Sequence, residues 1–261
     1  MELTPGVPDL APDVLAHELG SRPLRSYPAL LSTESDATAW ARAGGRSGSV
    51  VVTDYQASPR GRSGLPWRVE PGRGLGFSLL LRPELPAERE GWSYLAASLA
   101  VAESLALPES LADVDTAVEW PDTVLDTSTG ERVAAVGVEA QLAPGRTQWV
   151  VVTVLVDGAL PPRARLLARL VAAIEERVTT SAPEEVLTSY RARCATLGRP
   201  VRALMIPMGP GGPQVTGRAV DVLDDGALVL ATRSGRRVAV RPQNLGVLEP
   251  VPTADPADQI P

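Results

Sequence analysis

The spacing of apolar segments changes near residue 199, and this change constrains the fold more than any other feature of the chain. Before it, apolar strand-like segments such as 75–82 and 148–156 alternate with longer helix-like segments such as 91–107. After it, four short segments of alternating apolar and polar residues follow one another, separated by turn residues. We therefore predict an α+β chain in which a mixed sheet packed with helices precedes a small β-barrel of about 50 residues.

Individual elements follow from periodicity and from residues that start or stop regular structure. Ser32 or Thr33 can cap a helix that ends at Gly44. Pro161 is typical of a first helical turn, and a helix-spaced apolar stripe follows it. The predicted helices are 32–43, 91–107, one that Pro161 opens, and 184–197; the predicted strands are 50–53, 75–82, 114–120, 132–142 and 148–156, then 201–208, 214–223, 227–232 and 236–240.

The same patterns predict the domain organisation. Residues 1–25 contain four prolines and are interpreted as a lead-in segment, either a tail or a strand. Residues 26–198 are predicted to form the large domain, and residues 199–250 the small β domain. Residues 251–261 contain three prolines and few apolar side chains, which predicts a disordered tail.

The chain contains no lysine, and all 25 of its basic residues are arginines. We interpret this as an effect of GC-rich codon usage, with avoidance of lysine modification as the alternative. The formal net charge is −6 and no basic cluster is longer than a pair, which argues against a nucleic-acid partner. The single Cys194 and the single His17, interpreted as a surface residue, argue against a disulfide framework and a Cys- or His-based metal site.

The beginning of the chain has neither the basic start nor the apolar run of a signal peptide. No segment approaches the roughly 18 uninterrupted apolar residues that a membrane-spanning helix needs. We therefore expect a cytoplasmic protein without a membrane partner.

The segment from Tyr55 to Trp67, with the sequence YQASPRGRSGLPW, is the most distinctive motif. It has no helix or strand periodicity, and it places Gln56, Arg60 and Arg62 close to glycines. Glycine lets a backbone approach a ligand closely, and arginine supplies a permanent charge with a planar fork of donors. On its own, however, such a loop is more often a solvated turn.

This motif resembles the biotin-binding loop of biotin protein ligases, where a Gln precedes a Gly-Arg-rich run and a Trp follows. The rest of the chain is similar to that family in the same order, including a C-terminal SH3-like domain. The resemblance implies a catalytic core like that of class II aminoacyl-tRNA synthetases. The matching segments are Ser32-Thr33 with Ser-Thr-Asn, 74–83 with the strand after the loop, 119–122 (EWPD) with Lys-Trp-Pro-Asn, and 130–136 (GERVAAV) with Gly-Arg-Lys-Leu-Ala-Gly-Ile.

Ligases of this family use biotin and ATP to form biotinyl-5′-adenylate and then transfer biotin to a lysine of a carrier protein. If the chain is active, the resemblance implies biotin and ATP with Mg²⁺ as its cofactors. It implies a biotin carboxyl carrier protein or another protein as partner, and a homodimer as a candidate assembly. The ligand-binding roles fall on Ser32, Thr33, Gln56, Arg60, Gly61, Arg62 and Trp67.

Several positions depart from the family pattern. Arg132 stands where the family has the lysine that contacts biotin and the developing adenylate, and it is the candidate catalytic residue. Glu119 replaces a second lysine, and Asp122 replaces an asparagine. A carboxylate about 5 Å from a phosphate costs roughly 3 kcal/mol at an effective dielectric constant near 20. The remaining substituted positions are Glu34, Pro59, Leu65, Thr123 and Ala135.

These departures favour a pseudoenzyme, a biotin-ligase-like protein that has lost ATP-dependent adenylation and binds a small molecule or a partner. The first alternative is an active biotin–[carboxyl carrier protein] ligase in which Arg132 replaces the lysine and Asp122 holds Mg²⁺. The second is an acyltransferase of the related lipoyl/octanoyl group, with Cys194 as nucleophile. Cys194 lies in a predicted helix outside the motif segments, which favours buried packing instead.

Overall fold

The computed structural model describes residues 9–59, 72–107, 114–158 and 162–251. Within these ranges the chain forms five α-helices and two sheets that together contain twelve strands. The helices are α1 (Pro12–Leu19), α2 (Thr33–Arg42), α3 (Trp92–Leu105), α4 (Arg163–Thr179) and α5 (Pro183–Arg193). The strands are β1 (Leu24–Leu30), β2 (Ser49–Gln56), β3 (Leu75–Leu81), β4 (Thr116–Glu119), β5 (Thr123–Asp126), β6 (Arg132–Ala143), β7 (Arg146–Val156), β8 (Pro200–Met205), β9 (Gln214–Val222), β10 (Leu228–Ala231), β11 (Arg237–Val240) and β12 (Leu245–Pro250).

The large sheet is mixed, as the sequence predicts. Its strand order is β1-β2-β3-β7-β6-β5-β4. Strands β1 and β2 are parallel, and the other neighbouring pairs are antiparallel. A parallel pair needs a crossover connection, and α2 supplies it between β1 and β2.

Helices pack on both faces of the large sheet. Helices α3 and α4 belong to the main apolar core, which includes the predicted stripe of α4. Each fully buried leucine of that stripe stabilises the fold by about 1.5–3 kcal/mol. Helix α2 packs on the opposite face, where Ala37 and Ala41 join a smaller cluster with Val51, Leu80 and Val151. None of the helices in the described ranges is both long and apolar enough to cross a membrane.

The smaller, C-terminal sheet is antiparallel, with the strand order β11-β10-β9-β8-β12. Its hairpins turn where the sequence predicts, at Asp225-Gly226 and at Ser234-Gly235. Gly226 and Gly235 have φ values of +89° and +79°, a region that glycine enters without a Cβ clash.

Some elements differ from the sequence prediction. The lead-in segment contains the helix α1, which its prolines argued against in the sequence. Pro12 is compatible with this helix because it lies in the first turn, where its missing N–H costs nothing. Helix α5 ends at Arg193, so the prediction of a helix through residue 197 is wrong. The sequence patterns do not predict β5 and β12, and β1 overlaps the lead-in segment, interpreted as a tail or a strand, only at Leu24 and Arg25. Pro161 and residues 252–261 lie outside the described residues, and the domain bounds stay a prediction.

A buried ion pair joins the N-terminal segment to the start of α4. The Arg163 side chain, 4% exposed, donates from Nη2 to Asp9 Oδ1 at 2.8 Å. Asp9 Oδ2 also accepts the backbone N–H of Arg163 at 2.8 Å and so satisfies a donor of the first helical turn. A second carboxylate, Asp54, accepts from Arg163 Nη1 at 2.6 Å and from the backbone N–H of Gly72 at 3.1 Å. The cluster thus connects the N-terminal segment, β2 and the residues that precede β3.

Asp9 should contribute stability that depends on pH. Burial by itself raises the pKa of Asp9, but the hydrogen bonds and charge of Arg163 outweigh burial and hold this pKa below its ordinary value of 3.8. Because the folded-state pKa is the lower one, the stabilisation is fully present above the unfolded-state pKa and is lost as pH falls through the folded-state pKa. We expect Asp9→Asn to lower the free energy of unfolding by about 3 kcal/mol near neutral pH, since it removes a charge from the buried pair.

Urea unfolding of the wild type and of Asp9→Asn, from neutral pH to below the ordinary pKa of Asp, measures this difference. Asp13→Asn serves as the control, because Asp13 is exposed in α1. The Asp9 difference should shrink at the acid end, whereas a difference that stays constant would contradict the role of the ionised carboxylate.

The two sheets are joined by a close approach of two backbone segments. A Cβ on Gly226 would lie 2.4 Å from the carbonyl oxygen of Gly91, the residue before α3. The indole N–H of Trp120, whose side chain is buried, donates to the carbonyl oxygen of Gly226 at 3.0 Å. Trp120 of the EWPD motif therefore contacts the C-terminal sheet from inside the large domain.

Gly226→Ala should destabilise the protein more than Gly235→Ala. Both glycines have positive φ, so alanine meets a similar backbone strain of about 1–2 kcal/mol at each. At Gly226 the added methyl group also collides with Gly91, whereas at Gly235 nothing in the described part of the chain lies within 4 Å. Thermal unfolding should therefore begin at a lower temperature in Gly226→Ala, and equal losses would show that the junction tolerates a side chain there.

Candidate ligand site

One row of residues crosses the large sheet on the face that carries α2. Alternation along β7 puts Leu155 on the same face as Val151, which packs against α2. Neighbouring strands lie about 4.8 Å apart, so the four strand steps from Gly76 to Glu119 span roughly 19 Å. Read from β1 to β4, the paired residues of the row are Tyr27, Thr53, Gly76, Leu155, Ala135, Thr123 and Glu119.

Four polar side chains form a hydrogen-bonded chain where β2, β3 and β7 meet α2. The backbone N–H and the hydroxyl of Thr33 both donate to Gln56 Oε1, at 2.9 and 3.3 Å. The hydroxyl of Ser78 lies 2.9 Å from Thr33 Oγ1 and 2.7 Å from Thr153 Oγ1. Thr33, Ser78 and Thr153 are no more than 2% exposed, and Gln56 is half-buried. The structure thus brings the sequence-predicted Thr33 and Gln56 together, and it adds Ser78 and Thr153.

Gly76 leaves the space that the Gln56 side chain occupies. A Cβ at position 76 would lie 2.3 Å from Gln56 Nε2 and 3.4 Å from Leu155 Cδ2. The amide of Gln56 therefore lies over the row at β3. Any side chain at position 76 would have to displace that amide.

The start of α2 confirms Ser32 at the predicted cap position but lacks a side-chain capping hydrogen bond from it within the described part of the chain. Ser32 is the N-cap residue, with extended φ and ψ of −158° and 133°. Thr33 is already helical, and its N–H is satisfied by Gln56, which is 23 residues away in sequence. Ser32 itself is 5% exposed beside this contact.

The glycine- and arginine-rich loop is described only at its entrance. The backbone N–H groups of Ala57 and Ser58 donate to the carbonyl oxygens of Leu30 and Leu31, and Pro59 is half-buried. These hydrogen bonds continue the β1–β2 pairing into the first residues of the loop. Outside the described residues lie Arg60, Gly61, Arg62, Leu65 and Trp67, whose roles stay predictions.

The far end of the row carries the acidic substitutions. Glu119 is half-buried at the end of β4, with Thr123 and then Ala135 as its successive cross-strand neighbours. Asp122 is 5% exposed in the turn between β4 and β5, and the Thr123 hydroxyl lies 3.5 Å from its Oδ1. Within the described ranges, no group of three or more His, Cys, Asp or Glu side chains is arranged to hold a metal ion.

The surroundings of Asp122 have a low polarity. Burial raises the pKa of the neighbouring Tyr190 well above its ordinary value of 10.0, and its electrostatic interactions with the nearby Cys194 and Asp122 raise it further. The Tyr190 hydroxyl donates to the carbonyl oxygen of Pro121 at 3.2 Å. Charges near Asp122 are therefore poorly screened by water.

Arg132 and Glu34, two further positions that depart from the family pattern, are more exposed than Asp122 and Thr33. Arg132 is exposed at the first position of β6, opposite Leu125. A register shift separates this pair from the next one, Val124 with Ala134. Glu34 is half-buried in the first turn of α2.

Cys194 and His17 lie apart from the row. Cys194 is buried, as predicted, and forms an isolated bridge with Val118. Burial raises the pKa of its thiol, which keeps the sulfur protonated and poorly nucleophilic. Its predicted helical position is wrong, because α5 ends one residue earlier. His17 is exposed on α1, as predicted.

Sequence reasoning missed Ser78 and Thr153 as members of the site. Each is a lone hydroxyl residue within an otherwise apolar run of its strand, FSLLL and VVVTVLV. Buried polar groups nearly always have a hydrogen-bond partner, so an isolated hydroxyl in a fully buried strand indicates a polar contact nearby.

Comparison with known proteins identifies the family. The Biotin protein ligase C terminal domain family matches residues 196–255. A biotin--[acetyl-CoA-carboxylase] ligase of Mycobacterium tuberculosis is 32% identical over 225 residues, which cover 80% of this chain and 83% of that protein. A bifunctional ligase/repressor BirA of Bacillus subtilis is 29% identical over 138 residues, 53% of this chain and 41% of that protein. The chain belongs to the biotin protein ligase family.

Solved structures share the fold. A biotin protein ligase from Aquifex aeolicus in complex with biotin and ATP superimposes with a TM-score of 0.65 at 20% identity, over 88% of this chain and 99% of that chain. A biotin acetyl coenzyme A carboxylase synthetase from Helicobacter pylori gives a TM-score of 0.59 at 17% identity, over 84% and 100%. The common architecture is a mixed α+β core followed by a C-terminal antiparallel sheet domain.

Proposed function

We propose that this protein is a biotin-ligase-like binding protein that retains a site for a cyclic urea ligand but no longer activates that ligand with ATP. The observation that carries the proposal is the composition of the row across the large sheet. One end of the row has neutral, hydrogen-bonded groups around Gln56 and Thr33. The other end has the carboxylate of Glu119, with the buried carboxylate of Asp122 in the adjoining β4–β5 turn.

The neutral end suits the ureido ring of biotin. A urea is uncharged and offers one strong acceptor and two donors, so it needs neutral polar groups that have already lost their water. Thr33, Ser78 and Thr153 are buried and satisfied, and Gly76 leaves space for the Gln56 amide. Membership of the biotin protein ligase family supports biotin as the particular urea.

The negative charge at the acidic end of the row disfavours binding of a nucleoside triphosphate. By resemblance, Glu119 and Arg132 stand where the ligases have lysines. Exchanging a lysine for a glutamate replaces an attraction with a repulsion, and each is worth about 3 kcal/mol at roughly 5 Å and an effective dielectric constant near 20. A nucleotide bound at micromolar concentration has only about 8 kcal/mol of binding free energy. The change therefore removes most of the affinity that adenylation requires.

The second candidate function is an active biotin–[carboxyl carrier protein] ligase in which Arg132 acts in place of lysine. The observation in its favour is the 32% identity with the Mycobacterium tuberculosis ligase across most of both chains. In that case a biotin carboxyl carrier protein is the partner and acceptor. For a binding protein, the partner is a small molecule or another protein.

Calorimetric titration with biotin, and then with ATP and Mg²⁺, separates the two candidates. We expect biotin to bind, ATP to bind at millimolar concentration or not at all, and labelled ATP to give no biotinyl-adenylate. Adenylate formation by the wild type would contradict the loss of activity. Absence of biotin binding would contradict the retained ligand site.

The double variant Glu119→Lys with Arg132→Lys tests where activity was lost. Restoring both lysines, and with them the positive charge at position 119, should raise ATP affinity by at least tenfold, because about 1.4 kcal/mol corresponds to a factor of ten. Arg146→Lys is the matched control, since Arg146 is exposed at the start of β7, away from the row. If the double variant binds ATP no better than the control does, the acidic end of the row is not the cause of the weak ATP binding.

Gly76→Ala should weaken biotin binding, and its stability loss should be close to that of Gln56→Ala, since both lose the contact of the Gln56 amide with Thr33. The new methyl group meets the free end of the Gln56 side chain, which can swing away, and does not meet backbone. Gln56→Ala should weaken binding similarly, and combining the two should add little, because both remove the same amide from its place. Additive losses in the double variant would show that Gly76 acts independently of Gln56.

A further inference from the structure

The orientation of the Gln56 amide is determined by its contact with α2. A backbone N–H can only donate, so the Gln56 atom 2.9 Å from Thr33 N must be the amide oxygen. That oxygen can only accept, so the Thr33 hydroxyl also donates to it. The amide nitrogen, Nε2, therefore lies on the other side, over Gly76.

The direction of the remaining hydrogen bonds follows from that contact. Because the Thr33 hydroxyl gives its proton to Gln56, it must accept from Ser78 at 2.9 Å. Ser78 then has no proton left for Thr153, so Thr153 donates to Ser78 at 2.7 Å. The hydrogen bonds run in one direction, from Thr153 through Ser78 and Thr33 to Gln56 Oε1.

We propose that Ser78 and Thr153 are positioning residues that make the site selective for a ligand with a hydrogen-bond acceptor opposite Gln56. They act through Thr33, whose hydroxyl they hold in the donor orientation. Gln56 then presents its NH₂ group to the ligand, which suits a carbonyl oxygen and not an N–H group. The inference rests on the proposed function in taking biotin, whose ureido group carries such an oxygen, as the ligand.

Burial makes this arrangement hard to reverse. Ser78 is 0% exposed and Thr153 is 2% exposed, so water cannot replace a lost partner. Leaving one buried hydroxyl unsatisfied costs about 1–3 kcal/mol. Removing the Thr153 hydroxyl frees Ser78 to rotate, and with it Thr33, so that the second donor to Gln56 Oε1 is no longer fixed.

The test compares Thr153→Val with Thr153→Ser. Valine has the shape of threonine without its hydroxyl, and serine restores the hydroxyl. Thr147→Val is the matched control, because Thr147 is a buried threonine of the same strand whose hydroxyl has no hydrogen-bond partner among the described residues. The probes are biotin and 2-iminobiotin, in which an imino nitrogen replaces the ureido oxygen and, when protonated, offers only donors.

Wild type, Thr153→Ser and Thr147→Val should bind biotin with similar affinity and prefer it to iminobiotin. Thr153→Val should bind biotin about tenfold more weakly, the equivalent of one net hydrogen bond, with iminobiotin binding unchanged or improved. Equal weakening of both ligands, or a loss of stability without any loss of selectivity, would show a purely structural role and overturn the proposal.

A second readout works without a ligand. The side-chain NH₂ resonances of Gln56, assigned by their absence in Gln56→Ala, should be sharp and well separated in the wild type and in Thr153→Ser. They should shift or broaden in Thr153→Val, because the hydroxyl donor to the Gln56 amide oxygen is no longer fixed and only the backbone N–H of Thr33 remains. If the wild type binds no biotin, the proposed function fails, whereas unchanged Gln56 resonances in Thr153→Val overturn the positioning role itself.

Discussion

The candidate site depends on the contact between Gln56 at the end of β2 and Thr33 at the start of α2. This contact takes the place of a local helix cap, connects the crossover helix to the sheet, and determines the orientation of the amide. It can form because Gly76 lacks a side chain and because Ser78, itself hydrogen-bonded to Thr153, donates to the Thr33 hydroxyl. A single set of hydrogen bonds thus serves the fold and the ligand site together.

Much of the fold could be predicted from sequence, for a physical reason. Segments such as β3 and β7 are so apolar that only burial in a sheet suits them, and the stripe of α4 fits only a helix packed on a core. The helices and strands that the sequence did not predict are short or locally ambiguous. Helix α1 follows several prolines, and the four-residue β5 is recognisable only once its neighbours pair with it.

The candidate site was predictable in part. Family resemblance indicates Thr33 and Gln56, but it does not indicate that they bond to each other across 23 residues of sequence. Ser78 and Thr153 lie 45 and 75 residues from the hydroxyls that they contact, a relation that only strand pairing creates. The alignment of Ala135, Thr123 and Glu119 in one row depends on register in the same way. Sequence patterns locate the elements, and pairing decides which side chains share a face.

Under the proposed function, the fold and the neutral hydrogen-bonding groups around Gln56 persist, while the acidic end of the row disfavours a polyphosphate. A crystal structure of the protein soaked with biotin and ATP–Mg²⁺ tests this most directly. The account predicts electron density for biotin with its ureido oxygen at Gln56 Nε2 and no ordered nucleotide. Density for biotinyl-adenylate, or for biotin away from Gln56, would contradict it.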